Sequence, residues 1–232
     1  MDPRIHAFVI SWSGQAENAS AIEASVAGEV ERLTVIHSDE HDEAPLGARW
    51  RRVPNDWFYG RKFRQSLADF DGEVMLQITA DAACADWPRL VRRCREGYRA
   101  IDRLGLWAPK VDHTYWTLDR TGVGRLGDSE ICFVTMVDSI VWALSADVLE
   151  RLRGLDYEVN NLGWGIERLA ALHCHVTGRL VALDEGVEVR HPPGTGYSAE
   201  EATAQYQVFA RQITLAERLH DIVMQEFMDR PR

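Results

Sequence analysis

No apolar stretch in the 232 residues approaches the roughly 18 that a membrane span requires, and the N-terminus, MDPRIHAFVISWSG, lacks a signal-peptide build. The cytoplasm is the compartment expected on that ground. The four cysteines, at 84, 94, 132 and 174, form no CxxC pair; three sit inside apolar or helical patterns and read as reduced, buried thiols. No GxGxxG follows the first apolar run, no GxxxxGK[ST] occurs, and no GxSxG elbow is present. Dinucleotide binding, P-loop chemistry and α/β-hydrolase chemistry lose their main support. Positive charge is also scarce: 26 Lys plus Arg face 36 Asp plus Glu, a net charge of -10, which argues against a nucleic-acid partner. Internal repeats and low-complexity stretches are absent.

The chain is instead an ordinary soluble composition, 46% hydrophobic and 27% charged, at a length that fits one domain with a full core. HAFVIS (6 to 11) reads as a buried strand, NASAIEASVAGEV carries apolar positions one helical face apart, and LTVIHSD reads as a second strand. Strand, helix, strand at this spacing opens an α/β layer fold with a mostly parallel central sheet flanked by helices. Residues 40 to 60 have no period and are expected as a long surface loop; RKFRQSLADF then suits a helix and EVMLQITAD a buried strand. From Asp86, a cap residue followed by Pro88 begins a helix, and further strands are expected in LGLWAP and ICFVTMVDSIVWALS. The tail, opened by a capping box at Ser198 and Glu201, keeps apolar residues at 202, 206, 209, 213, 216, 219, 223 and 227 and is expected as one long C-terminal helix. Such a helix either closes the domain or pairs with a second copy in a homodimer.

In an open parallel sheet, ligands bind beyond the carboxyl ends of the strands, so polar residues just after the strands carry the interest. Those are Ser11 beside Trp12, Asp39, Asp81, and His191 in EVRHPPGTGYS. Asp81 ends a run as apolar as VMLQI, and an acid there either reaches solvent or meets a cation. His191 stands before two prolines on a stiff backbone, which suits a metal ligand or a structural hydrogen bond. Seven basic residues, Arg61, Lys62, Arg64, Arg89, Arg92, Arg93 and Arg95, fall close enough in sequence for a local anion site or for solvated helix faces. His173 and His175 around Cys174 do not suggest zinc, since i and i+2 side chains diverge on a helix. Asp138 interrupts an apolar run and needs a partner if buried, a sugar hydroxyl or a structural hydrogen bond. In NNLGWGIERL (160 to 169), two glycines flank Trp164 and place Glu167 at the start of a helix, where an acid accepts a proton or sits as a solvated first-turn residue.

Taken together, these segments resemble glycosyltransferases of the GT-A fold, most closely the family 2-like and galactosyltransferase-like groups, over roughly residues 5 to 197. The resemblance implies a GT-A-like catalytic domain at 1–197, with a nucleotide-sugar-binding half at 1–104 and an acceptor-binding half at 105–197, followed by the helix at 198–232. QITADAACADW is similar to the family's acidic metal-binding segment, with Asp81 at the metal-binding acid and Thr79 and Ala83 at neighbouring acidic positions. GWGIER resembles the family's GWGxED, making Glu167 the base candidate, with Arg168 in place of the second acid. His191 resembles the histidine that completes the metal site, for Mn²⁺ or Mg²⁺. Asp39 resembles the acid that binds the base and ribose, and with Ser11, Arg61 and Asp81 it makes up the implied donor site. Asp138, Trp164 and Gly165 make up the implied acceptor and sugar site. Tyr197 with Gly194 and Gly196 would line a lid over the donor.

The expectation is a metal-assisted, inverting, hexosyltransferase-like enzyme that moves a sugar from a nucleoside diphosphate to a hydroxyl acceptor, a glycan or small molecule. A catalytically silent GT-A-like module that binds a nucleotide or glycan, or acts as a scaffold, is the alternative. A sugar-nucleotide pyrophosphorylase ranks last, because SWSGQAENAS after the first strand has one glycine and no basic residue.

Overall fold

The structure, a computed structural model, describes residues 2–39, 47–192, 194 and 196–230. Its elements in chain order are β1 (Ile5–Trp12), α1 (Ala16–Val26), β2 (Arg32–Ser38), β3 (Trp50–Arg52), α2 (Tyr59–Asp69), β4 (Val74–Thr79), β5 (Ala83–Cys84), α3 (Trp87–Ala100) and β6 (Leu104–Val111). Then follow α4 (Leu118–Thr121), β7 (Gly122–Arg125), β8 (Ile131–Val134), β9 (Val141–Ser145), α5 (Ala146–Arg153), α6 (Ile166–Val176), β10 (Leu180–Arg190), α7 (Ala199–Phe209) and α8 (Leu215–Met228).

One mixed sheet runs through the whole chain in the order β3-β2-β1-β4-β9-β6-β10-β8-β7, with β5 added against the end of β10. Strands β3, β2, β1 and β4 are mutually parallel, β9 lies antiparallel between β4 and β6, and β6 pairs parallel with β10. The strands alternate as a period of two requires: Phe8 and Ile10 of β1 face one core, Ala7 and Val9 the other. Helices cover both faces, which is why these strands read as continuous apolar runs. On one side α2, α5, α6, α7 and α8 supply Phe63, Leu149, Leu169, Phe209 and Met224; on the other α1 and α3 supply Ile22, Val26, Leu90 and Cys94. Each fully buried side chain of this kind contributes on the order of 2 kcal/mol. Helix α3 begins as the sequence suggests, with Pro88 in its first turn and the Asp86 side chain accepting from the backbone N–H of Arg89 at 2.8 Å.

Two expectations change. Within 40 to 60, residues 40–46 lie outside the described residues, but Trp50–Arg52 form the edge strand β3 beside β2, and α2 already starts at Tyr59. The helical tail ends in the long α8, yet it is not one uninterrupted helix: α7 ends in a 3-10 turn at Ala210–Gln212, and α8 starts anew with a capping box between Thr214 and Glu217. This break resets the helical phase. Ala202 and Phe209 remain on the core stripe, but Leu219 and Val223 turn outward, and Met224 and Met228 take the inner face.

Candidate active site at the strand ends

Because β1, β2, β4, β6 and β10 share one direction, their carboxyl ends lie along one edge of the sheet, and antiparallel β9 brings the residues before it to that edge. Ser11, Asp39, Asp81, Asp138 and His191 all lie there, spread from one side of the sheet to the other.

At the centre, Asp81 and His191 meet, with Nε2 of His191 3.1 Å from Oδ2 of Asp81. The two-residue strand β5 draws them together by pairing Ala83 with Arg190. Burial alone would raise the Asp81 carboxyl, but the hydrogen bond and charge of His191 hold it below the usual carboxylate range. The same hydrogen bond raises His191 above the ordinary imidazole value. The backbone N–H of His191 donates to Oδ1 of Asp112 at 3.0 Å, fixing the residue after the strand. The other carboxylate oxygen of Asp81, Oδ1, is buried without a hydrogen-bond partner. A buried, unpartnered anionic oxygen beside an imidazole is a donor set that suits a divalent cation. Among the described residues, however, no group of three or more His, Cys, Asp or Glu side chains stands together as a complete metal cage.

Glu167 is the second residue of α6, in the first turn, and partly buried. Burial, together with the Asp138 carboxylate, raises its pKa from 4.5 to about 7, against the opposing charge of Arg168. Asp138 also acts on His191, and the Tyr197 hydroxyl feels both Glu167 and Asp81, so these side chains share one electrostatic neighbourhood. Asp138 is held by the Thr114 hydroxyl, which donates to Oδ2 at 2.7 Å, and by the backbone N–H of Ile140 at 3.2 Å. Trp164 donates its indole N–H to Tyr197 at 2.9 Å, and Phe58 packs edge-on against Tyr197. Arg168, the residue after Glu167, is held by α8 and donates to Asp221 at 2.6 Å.

The glycines around Trp164 have a structural reason. Gly163 and Gly165 adopt φ +86 and +82, and a Cβ would stand 2.4 Å from the Tyr59 ring at the first and 2.3 Å from the Tyr206 ring at the second. The start of α2 presses on the same segment: the N–H of Gly60 donates to Asn161 at 2.8 Å, and Asn161 Oδ1 accepts from the N–H of Phe58 at 2.9 Å. Fully buried Asn160 pins the turn from within, donating to the Trp164 carbonyl at 2.9 Å and accepting from the Gly163 N–H at 3.1 Å.

On the β1 and β2 side, His37 bridges Ser11 and Asp39, with Nδ1 2.9 Å from the Ser11 hydroxyl and Nε2 3.1 Å from Asp39. Burial lowers the His37 pKa although Asp39 opposes it. Arg61 faces elsewhere and pairs with Glu158 at 2.7 Å and Asp56 at 3.5 Å. Its neighbour Lys62 is the base that reaches the strand ends: 2% exposed, it donates to the Ser11 carbonyl at 2.8 Å near the Trp12 ring, and burial pushes its pKa down to about 7. Both residues belong to the clustered basic positions of the sequence, but Arg61, the one the resemblance implies for the donor site, is engaged by Glu158 and Asp56. The phase of α2 holds the signal, since Lys62 shares the buried side with Phe63, Ser66 and Leu67. His37 and Thr114 were also missed, because their partners come from other strands and loops.

No family profile and no curated protein matches this chain. Solved structures do match it in fold. The mannosyltransferase PcManGT from Pyrobaculum calidifontis, in complex with GDP-Man and Mn²⁺, superposes with a TM-score of 0.63 at 13% identity, covering 98% of this chain and 70% of its own. S. aureus TarS gives 0.63 at 12% identity over 97% of this chain and 42% of its own. GalNAc-T7 with UDP, GalNAc and Mn²⁺ gives 0.58 at 12% identity over 90% of this chain and 48% of its own. The chain has a GT-A-type glycosyltransferase fold. It spans less than half the length of the last two.

Proposed function

We propose that this protein is a glycosyltransferase that moves a sugar from a nucleoside-diphosphate donor to a hydroxyl acceptor, with Glu167 as the base. The observation that carries this reading is Glu167 itself, a carboxyl whose pKa is raised to about 7 and which feels Asp138, the carboxylate that also acts on His191 of the Asp81–His191 pair. A base is most useful when its pKa lies near the working pH. The acceptor hydroxyl hands its proton to Glu167 as its oxygen attacks the anomeric carbon, and the bond from that carbon to the diphosphate oxygen breaks. A single displacement of this kind inverts the configuration. Asp138, Trp164 and the backbone at Gly165 would hold the sugars, while Ser11, Asp39 and Lys62 would bind the nucleotide side of the donor.

Asp81 and His191 would hold a divalent ion, with the remaining ligands coming from the donor diphosphate and water, the usual habit of Mg²⁺ sites. When bound, Mn²⁺ or Mg²⁺ neutralises charge that develops on the departing diphosphate. The Mn²⁺ in the complexes of PcManGT and GalNAc-T7 supports this choice of cofactor, and their GDP-Man, UDP and GalNAc support hexosyl transfer from a nucleotide donor.

A second reading, a catalytically silent nucleotide- or glycan-binding module, is favoured by one observation: Thr79 and Ala83 leave Asp81 with no second acid two residues to either side. Calorimetric titration with UDP, GDP, CDP and dTDP, each with and without Mn²⁺, tests the donor site. Binding of one diphosphate that needs both metal and Asp81, and is lost in Asp81→Ala, is expected; no binding to any of them would sink the reading. Glu167→Gln should then retain that binding and lose transfer by about 10² to 10⁴-fold. Binding without transfer in the parent protein would favour the silent module.

A further inference from the structure

Helix α8 is apolar on two opposite sides. Its inner side is accounted for: Met224 and Met228 enter the core, Glu217 accepts from Nε and Nη2 of Arg151, each at 2.9 Å, and Asp221 accepts from Arg168. The outer side carries Leu215, Leu219, Ile222 and Val223, exposed to 74%, 56%, 54% and 64%. A helix that only closes a domain is polar on that side. The same chain obeys that rule elsewhere, since the outward positions of α3 are Arg92, Glu96 and Arg99. Leu215, Leu219 and Ile222 follow one another at intervals of four and three residues, the spacing of a helix seam that packs against another helix. Together with Val223 they make an apolar patch on the order of 400 Å², the size of the largest patch on a typical monomer, which is often functional.

We propose that this face of α8 is a self-association surface, on which two copies of the chain pair their α8 helices antiparallel about a two-fold axis near Ile222. The charges around the patch select this occupant. Arg218 and Glu226 flank Ile222 four residues to either side, both are exposed, and neither is in an ion pair among the described residues. Under an antiparallel two-fold, Arg218 of one protomer meets Glu226 of its partner, and the contact occurs twice. Ile222 lies against its own copy at the centre, with each Leu219 packing beside the partner's Ile222. A lipid surface fits less well. Arg218 and Glu226 cancel, whereas a helix that lies on an anionic membrane carries an excess of Lys and Arg on its polar flank.

Sedimentation velocity over a concentration series tests the pairing on the full chain. A concentration-dependent dimer is expected for the parent protein. Ile222→Glu should sediment as a monomer throughout, with an unchanged circular dichroism spectrum because the inner face of α8 is untouched. Arg218→Glu should weaken the dimer about tenfold or more, and adding Glu226→Arg should restore it, a rescue that general loss of apolar surface would not produce. A parent protein that stays monomeric at its highest soluble concentration would overturn the proposal. So would a dimer that survives Ile222→Glu. If the monomer instead floats with vesicles of phosphatidylserine and phosphatidylcholine, and Ile222→Glu abolishes flotation, the face binds lipid and the proposal is wrong.

Discussion

Replacing Glu167 by Gln should stabilise the protein at alkaline pH while it removes the proposed base. The folded carboxyl holds its proton up to about pH 7, whereas the same group in the unfolded chain releases it near 4.5. Between those values the folded state carries the extra proton, so stability falls as pH rises through the window and stays low above it. A rise from 4.5 to about 7 corresponds to ~3 kcal/mol of penalty for the ionised form. Partial solvent access reduces the share that reaches the folding equilibrium to ~1–2 kcal/mol, or roughly 2–8 °C in Tm for a chain of this size. Glutamine keeps the shape of the side chain and carries no charge. Thermal unfolding of both proteins at pH 5, 6, 7 and 8 should give nearly equal Tm at pH 5 and a gap that opens through pH 7 in favour of Gln. A gap that stays constant with pH, or that favours Glu at pH 8, would refute the assignment of a burial-strained carboxyl at this position.

Three further outcomes are expected. Gly60→Ala places a Cβ 1.9 Å from the Asn160 carbonyl oxygen and should cost more than ~3 kcal/mol in urea unfolding, whereas Gly14→Ala, at φ +83 but in open space, should cost about 1 kcal/mol. Glu217→Ala leaves Arg151 without its buried partner and removes half of the capping box that starts α8, so a loss of about 3 kcal/mol and early proteolysis of the tail should appear together. The Lys62 amine gives up its proton near pH 7 in the folded state and near 10.5 when unfolded, so its contribution to stability rises with pH across that range. Lys62→Met should therefore gain most over the parent at pH 7, lose that advantage by pH 10, and bind nucleoside diphosphate about tenfold more weakly in calorimetry.

Much of the fold is legible in the residues because period and punctuation agree. The apolar runs of β1, β2 and β4, the helical spacing in α1, and the Asp86 and Pro88 start of α3 each follow from local rules. The strand-end positions of Asp81 and His191 are legible for the same reason, since each polar residue stops a buried strand. What is hidden depends on neighbours distant in sequence. Strand β5 has two residues and exists through its pairing with β10; β3 exists through its pairing with β2. The contact of His37 with Ser11 follows from the register that sets those residues side by side. The exchange of Arg61 for Lys62 turns on about 100° of helical phase. The interruption of the tail was written in the sequence as a second capping box, Thr214 and Glu217, masked by apolar residues that continue across it.

The seam where Gly60 and Gly163 press together fixes α2 against the start of α6. It ties the start of α2 to the turn that precedes α6 and Glu167, and the sheet beneath is continuous. Such a seam is a mould rather than a jaw. A seam of that kind leaves no hinge between α2 and α6, so for the proposed donor site small-angle scattering should give the same radius of gyration with and without nucleotide.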